Sequence, residues 1–276
     1  MFRADPQSGV AWVTGASSGV GRAVALELAR RGYTVAATSN APLDLDVVAA
    51  EAPRKIFAFA ADMTRPDDMA ESVARIEAAH GPIALAFLNA GGQFQEDSGD
   101  FDADLFRRTV DLNLTGTANC LAPLLRAMRA RGRGQIAING SSAGYGGMPE
   151  AISYGASKAA LIHLAESLCL VCEPQNVMVQ LVSLGFVRTA LTDLNRFPMP
   201  FMMRPEQAAR RICDGFARAG FEIVVPRRLI WNLKAWRRFD RAADFNQSRN
   251  VGLVLRDALL RSVPQHEGLE NLQMIY

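Results

Sequence analysis

Tyr154 and Lys158 stand four residues apart in Ser153-Tyr154-Gly155-Ala156-Ser157-Lys158. On a helix that spacing puts the phenol and the ammonium on one face, about one turn apart. An ammonium beside a phenol favours the phenolate, so the tyrosine proton becomes easier to give and to take near neutral pH. The pair alone says little, because surface helices contain it by chance. It gains meaning beside a nucleotide-binding loop and a second hydroxyl, and both stand upstream: Gly15-Ala16-Ser17-Ser18-Gly19-Val20-Gly21, and Ser141-Ser142.

Positioning these groups requires strands alternating with helices. Apolar runs at Val10 to Thr14, Thr34 to Thr38, Lys55 to Ala60, Ile83 to Asn89, Gln135 to Gly140, Val177 to Ser183 and Phe221 to Val225 read as strands. Helical patterns fall between them, at Gly21 to Arg31, Pro66 to His80, Asp102 to Arg131, Ser153 to Val171 and Pro205 to Ala219. The expected fold is α/β: a doubly wound Rossmann parallel sheet of seven strands with helices on both faces, and ligands at the carboxyl ends of the strands. No repeat other than this alternation and no low-complexity tract is present.

The first strand ends at Thr14 and enters the glycine-rich loop, and a helix follows. Glycines let the backbone approach a phosphate closely, and the helix N-terminus offers free N–H groups and the positive end of its dipole to a pyrophosphate. Strand, loop and helix come in the order a dinucleotide site requires. NAD-preferring sites carry an Asp or Glu about 20 residues on, which accepts bonds from the ribose 2′-hydroxyl. Here the second strand ends in Ala37-Thr38-Ser39-Asn40, with no carboxylate to repel a 2′-phosphate. The cofactor expectation is therefore NADP ahead of NAD, although no Arg or Lys stands in the loop before Gly19 or just after Ser39 to clamp that phosphate.

The bulk numbers remove other classes. Of 276 residues, 49% are hydrophobic and 21% charged, an ordinary globular balance, and the net charge of +2 argues against a nucleic-acid partner. No run of about 18 apolar residues is visible, so no transmembrane helix is expected. The start, Met1-Phe2-Arg3-Ala4-Asp5-Pro6, lacks a signal-peptide layout, and the expectation is a cytoplasmic protein. Cys169 and Cys172 form a Cys-x-x-Cys, but within an apolar run; with Cys120 and Cys213 they read as core thiols. With three histidines (His80, His163, His266) and no second cysteine pair, no metal site is expected.

Taken together, Thr14-Gly15-Ala16-Ser17-Ser18-Gly19-Val20-Gly21, Asn89-Ala90-Gly91, Asn113, Ser141, Tyr154, Lys158 and Gly185-Phe186-Val187-Arg188-Thr189 resemble the short-chain dehydrogenase/reductase family, over roughly Val10 to Val225. The resemblance implies an NAD(P)-dependent oxidoreductase that moves a hydride between a nicotinamide and a carbonyl/secondary alcohol. It implies that Tyr154 is the general acid or base and that Lys158 lowers its pKa and binds the nicotinamide ribose. Ser141 would hold the substrate oxygen, and Asn113 would anchor a proton-carrying water chain. Family spacing selects Ser141 over Ser142; chemistry alone asks only for a hydroxyl just past the fifth strand. The cofactor site implied is Thr14, Gly15, Ser17, Ser18, Gly19, Val20, Gly21, Ser39, Asp62, Asn89, Ala90, Gly91, Gly185, Val187 and Thr189, with Tyr154 and Lys158. Homodimers and homotetramers are common in the family. A cofactor-binding sensor or assembly protein without turnover is the alternative on the same fold, and it predicts a damaged constellation.

The family usually carries Pro-Gly after the sixth strand; here Leu184 precedes Gly185, and the loss of proline frees the following loop. The segment Ala190 to Met203, with Phe197, Pro198, Met199, Phe201, Met202 and Met203, reads as an adaptable lid over a hydrophobic substrate, with simple lid packing as the alternative. Residues 1–225 form the dinucleotide-binding and catalytic domain in this reading, and 226–276 a C-terminal extension. Within the extension, Arg227 to Phe239 is basic and aromatic. A membrane-surface helix is one reading of it; a helix packed on the sheet or on a partner subunit is preferred.

Overall fold

Strands covered by helices on both faces must be apolar along their whole length, and the central strands here are. Val10–Thr14 (β1), Val35–Ser39 (β2), Ile83–Leu88 (β4) and Val177–Leu184 (β6) are buried at every position. With Ile56–Ala60 (β3), Gly134–Asn139 (β5) and Glu222–Val225 (β7) they form one parallel sheet in the order β3-β2-β1-β4-β5-β6-β7. The structure, a computed structural model, describes residues 1–96, 100–147, 151–194 and 199–240. Strand order reverses between β1 and β4, which opens the crevice where a doubly wound sheet binds its ligand.

Helices Gly19–Arg30 (α1), Pro42–Glu51 (α2) and Pro205–Phe216 (α7) cover one face, packing Val24, Leu28, Leu45, Val48, Ile212 and Phe216 around β1 and β2. Pro66–His80 (α3), Ala103–Val110 (α4), Gly116–Arg131 (α5) and Ile152–Cys172 (α6) lie on the other. There Met69, Ile76, Leu124, Met128 and Leu161 share one core cluster with Trp12, whose indole N–H donates to Thr38 Oγ1 at 2.9 Å. Each such buried side chain contributes about 1.5–3 kcal/mol relative to exposure. A last helix, Arg227–Asp240 (α8), buries Leu229 and Ile230. Residues Met1–Ala235 form one compact unit, and the part of the C-terminal extension beyond Asp240 lies outside the described residues.

Three sequence expectations change. The single helix over Asp102 to Arg131 is α4, a π-helical turn at Asp111–Thr115, and α5. The wider turn inserts a residue into the helical register and carries Asn113 inward, where it is fully buried. Helix α2 escaped notice because Leu43 and Val47 face solvent, which blurs its apolar stripe. Finally, α6 with its closing turn, Ile152–Gln175, is long and apolar enough in composition to cross a membrane. Its positions Ser157, Lys158, Leu161, Ala165 and Cys172 are nonetheless buried, and it packs on β6 and α4, so it serves as a core helix.

Candidate active site

A cavity of ≈ 560 Å³ opens at the carboxyl ends of the strands. It is floored by the turn after β1. Thr14 Oγ1 accepts from the backbone N–H of Asn89 at 2.9 Å and of Ala90 at 3.1 Å, which ties the end of β1 to the end of β4. Asn89 Nδ2 returns bonds to the carbonyls of Thr14 and Gly15, at 3.2 and 3.5 Å. Gly15 sits at φ +64°, and a Cβ there would stand 2.8 Å from Ala90 Cα, so only glycine fits this turn. At the edge of β2, Ser17 Oγ and Ser39 Oγ are 2.9 Å apart. Asp62 lines the wall with one carboxylate oxygen already held by Thr64 N–H and Oγ1, at 2.9 and 2.8 Å.

Tyr154 and Lys158 enter from α6. The N-terminus of α6 is capped by Glu96, whose carboxylate accepts from the N–H groups of Ile152 at 2.5 Å and Ser153 at 2.7 Å. This fixes the first turn of the helix that bears Tyr154. Lys158 is 3% exposed, its Nζ donates to the carbonyl of Asn139 at 2.8 Å, and it lies 5.5 Å from the Tyr154 ring centroid. Behind it, Asn113 Nδ2 donates to Ser157 Oγ at 3.0 Å and to the carbonyl of Gly92 at 2.9 Å, while Oδ1 accepts from Gly92 N–H at 2.8 Å. Ser157 Oγ in turn donates to the carbonyl of Tyr154 at 2.7 Å. Ser141 begins the turn Ser142–Gly144, accepts from Ala143 N–H at 3.2 Å and is hydrogen-bonded to the Tyr154 hydroxyl.

Charge in this pocket differs from the sequence expectation. Burial pushes the Tyr154 phenol up, against the pull of its bond to Ser141, rather than down toward a ready phenolate. Burial also presses Lys158 down to about 8. Two groups withdrawn from water both favour their neutral forms, and desolvation outweighs the mutual attraction that spacing alone suggested. The resting tyrosine is therefore a protonated acid, the form suited to giving a proton.

Every residue selected from the sequence lines the cavity except Gly21 and Asn113. Gly21 packs on the Gly15 carbonyl and Asn113 stands behind the wall, bonded to Ser157. Of the expected lid, Ala190, Leu191 and Thr192 line the cavity, whereas Met199, Pro200, Phe201, Met202 and Met203 do not; Met203 instead joins the core beside Val187. Asn195, Arg196, Phe197 and Pro198 lie outside the described residues, as do the side chains of Trp236, Arg237, Arg238 and Phe239. His163 is exposed on α6.

Sequence reasoning missed Asn139. It ends β5, donates from Nδ2 to Asn89 Oδ1 at 3.1 Å, and leaves its own Oδ1 buried with no partner in the protein. A polar residue closing a central parallel strand was the available signal. The orphaned acceptor and the Gly15 turn together fit a bound dinucleotide that brings its own donors and phosphates. Among the described residues no three His, Cys, Asp or Glu side chains converge to hold a metal.

Known proteins resemble this chain in sequence and fold. The short chain dehydrogenase family model matches residues 9–197. An uncharacterized oxidoreductase of Myxococcus xanthus is 35% identical, covering 78% of this chain and 87% of its own length. Cis-4-hydroxycyclohexanecarboxylate dehydrogenase of Sinomonas cyclohexanicum is 32% identical, over 74% of this chain and 87% of its own. A short-chain dehydrogenase from Sphingobium yanoikuyae, solved in complex with NADPH, superposes with a TM-score of 0.73 at 25% identity, covering 95% of this chain and 98% of that one. The chain belongs to the short-chain dehydrogenase family of oxidoreductases.

Proposed function

We propose that the protein is an NADP-preferring oxidoreductase that interconverts a hydrophobic carbonyl compound and its secondary alcohol. The observation that carries this reading is the convergence of Ser141, Tyr154 and Lys158 on one cavity with the Gly15–Gly21 turn. When bound, the nicotinamide supplies the hydride or takes it up. Tyr154 holds the proton given to the carbonyl oxygen, and the Ser141 hydroxyl holds that oxygen beside it. Lys158 places a positive charge 5.5 Å from the ring centroid, where it steadies the phenolate left behind once the proton has gone. Asn113, through Ser157, keeps the turn of α6 between Tyr154 and Lys158 in register.

Two observations support NADP. Ser39 and Asn40 close β2 where a carboxylate would repel a 2′-phosphate, and the Sphingobium relative binds NADPH. Leu112, Leu184, Phe186 and Leu191 on the cavity wall support a hydrophobic substrate. Leu170 and Val171, exposed on α6, support a homodimer or homotetramer.

The test is to follow cofactor absorbance with a panel of polar, long-chain and polycyclic ketones, using NADPH and NADH in parallel. Turnover of the apolar ketones with NADPH is expected. Turnover confined to small polar ketones, or faster with NADH, removes the corresponding part of the reading. Cofactor binding without any turnover favours a sensing role instead.

A further inference from the structure

The family match ends at residue 197, yet the chain beyond it reaches the supports of the cavity. Glu222, in β7, accepts from three elements at once. One carboxylate oxygen takes the Tyr145 hydroxyl at 2.6 Å and Ser183 Oγ; the other takes the Lys234 ammonium from α8. Tyr145 and Ser183 oxygens are themselves 2.7 Å apart, and Lys234 Nζ stands 4.9 Å from the Tyr145 ring centroid. Tyr145 is 6% exposed and Ser183 fully buried. Burial works to raise the Glu222 carboxyl, but the bonds from Lys234, Ser183 and Tyr145 outweigh it and hold it below its usual range. Burial and the Glu222 bond push the Tyr145 phenol up, so it stays a donor.

Each donor sits at the root of something that shapes the cavity. Tyr145 closes the turn opened by Ser141, its N–H donating to the Ser142 carbonyl at 3.1 Å. Ser183 precedes Leu184, Gly185 and Phe186, which line the wall. Lys234 follows Leu229 and Ile230 on α8, and a Cβ on Gly185 would come within 2.7 Å of Leu229 Cδ2, so helix and loop fit closely.

We propose that Glu222, Tyr145, Ser183 and Lys234 form a positioning cluster that fixes the Ser141 turn against the loop after β6, so that α8 governs the reactivity of a cavity it does not line. This rests on the reading of Ser141 and Tyr154 given above. Without the Tyr145 hydroxyl or the Lys234 charge, the turn at Ser142–Gly144 loses its outer anchor, and Ser141 no longer holds the substrate oxygen beside Tyr154.

The experiment compares full-length wild type with Tyr145→Phe, Lys234→Met, Lys234→Arg and the Tyr145→Phe/Lys234→Met double variant. It measures kcat for ketone reduction, NADPH affinity by fluorescence, and amide exchange over residues 141–147. Tyr145→Phe and Lys234→Met are each expected to lower kcat about tenfold, with NADPH affinity within about twofold of wild type. Exchange over 141–147 speeds up in both. Lys234→Arg keeps the ion pair and stays within about twofold of wild-type kcat. The double variant is no slower than the worse single one, because both act through Glu222. Unchanged kcat in Tyr145→Phe, losses that multiply in the double variant, or Lys234→Arg as slow as Lys234→Met each overturn the cluster. If wild type reduces no carbonyl, the proposed function fails, and exchange decides the cluster alone: unaltered protection over 141–147 in both single variants contradicts it.

Discussion

Lys158 donates to the backbone carbonyl of Asn139, and the neutral pairs Asn139–Asn89 and Asn113–Ser157 supply the amides and the hydroxyl of this part of the site. Around Glu222, by contrast, a lysine, a phenol and a serine converge on one carboxylate. The first cluster offers Lys158 dipoles and no counter-charge within it, and burial presses the ammonium down to about 8. The second compensates its charges, and Glu222 stays ionised although half-buried. A charge that burial leaves uncompensated titrates near neutral pH and can do chemistry; a compensated one is inert and holds shape.

That contrast breaks most visibly at Tyr154. Replacing Tyr154 by Phe removes the proton held beside Lys158, and kcat is expected to fall about 10³-fold. NADPH affinity, read by fluorescence, changes little. Wild-type rates in this variant would move proton transfer elsewhere.

Asn113→Ala comes next. It strands Ser157 and both backbone groups of Gly92, and burying unpaired polar groups of this kind costs about 2–3 kcal/mol. Chemical denaturation should show that loss, together with slower turnover as α6 shifts. A variant as stable as wild type would mean that the π-helical turn holds its shape without this side chain.

Titration sharpens the comparison further. Lys158 is charged below about 8 and neutral above it in the free protein. kcat/KM for carbonyl reduction should therefore hold level up to that pH and fall beyond it, by about tenfold per pH unit in the limit. The contribution of Lys158 to stability moves the opposite way. The folded lysine loses its proton at about 8 and the unfolded one near 10.5, so the unfolded chain binds more protons between these values. The lysine alone therefore adds stability across that window, so the loss brought there by the buried Cys120 and Cys213 thiols, pushed up to about 12, should be steeper in Lys158→Met than in wild type. Wild type and Lys158→Met losing stability in parallel from pH 8 to pH 10 would contradict the depressed value.

The smallest effect is expected at a compensated carboxylate that does not line the cavity. Glu27 accepts from Arg30 and Arg31 at 2.8 Å, and these bonds, led by that of Arg30, hold it at about 2 against the usual 4.5. Its contribution is complete above pH 4.5 and is lost as pH falls through about 2. Glu27→Gln should lower stability by about 1–2 kcal/mol at pH 7 while leaving kcat unchanged. The difference from wild type should shrink in acid. Loss of activity without loss of stability would erase the distinction between shape-holding and reactive charges.

How legible these clusters were in the chain follows from how far apart their partners lie. The strands were readable to within a residue or so because buried parallel strands are continuous apolar runs. The turn after β1 and the Tyr154–Lys158 spacing are local, and so were visible. Asn113 was visible only through a family resemblance, since nothing local announces the π-helical turn that carries it inward. Glu96, Asn139 and Glu222 were not visible: Glu96 caps a helix 56 residues on, and Glu222 meets Tyr145 across 77. The lid was misjudged in part because Met203 looks the same in sequence whether it faces a ligand or the core.

The central claim is that Tyr154 protonates a carbonyl while hydride arrives at the adjacent carbon. The most direct measurement follows deuterium from nicotinamide-labelled NADPH into the product of an apolar ketone, by mass spectrometry, with wild type and Tyr154→Phe side by side. The account predicts one deuterium on the carbinol carbon in wild type and label transfer slowed about 10³-fold in Tyr154→Phe. Product formed without label, or label transferred at equal rates by both proteins, would contradict it.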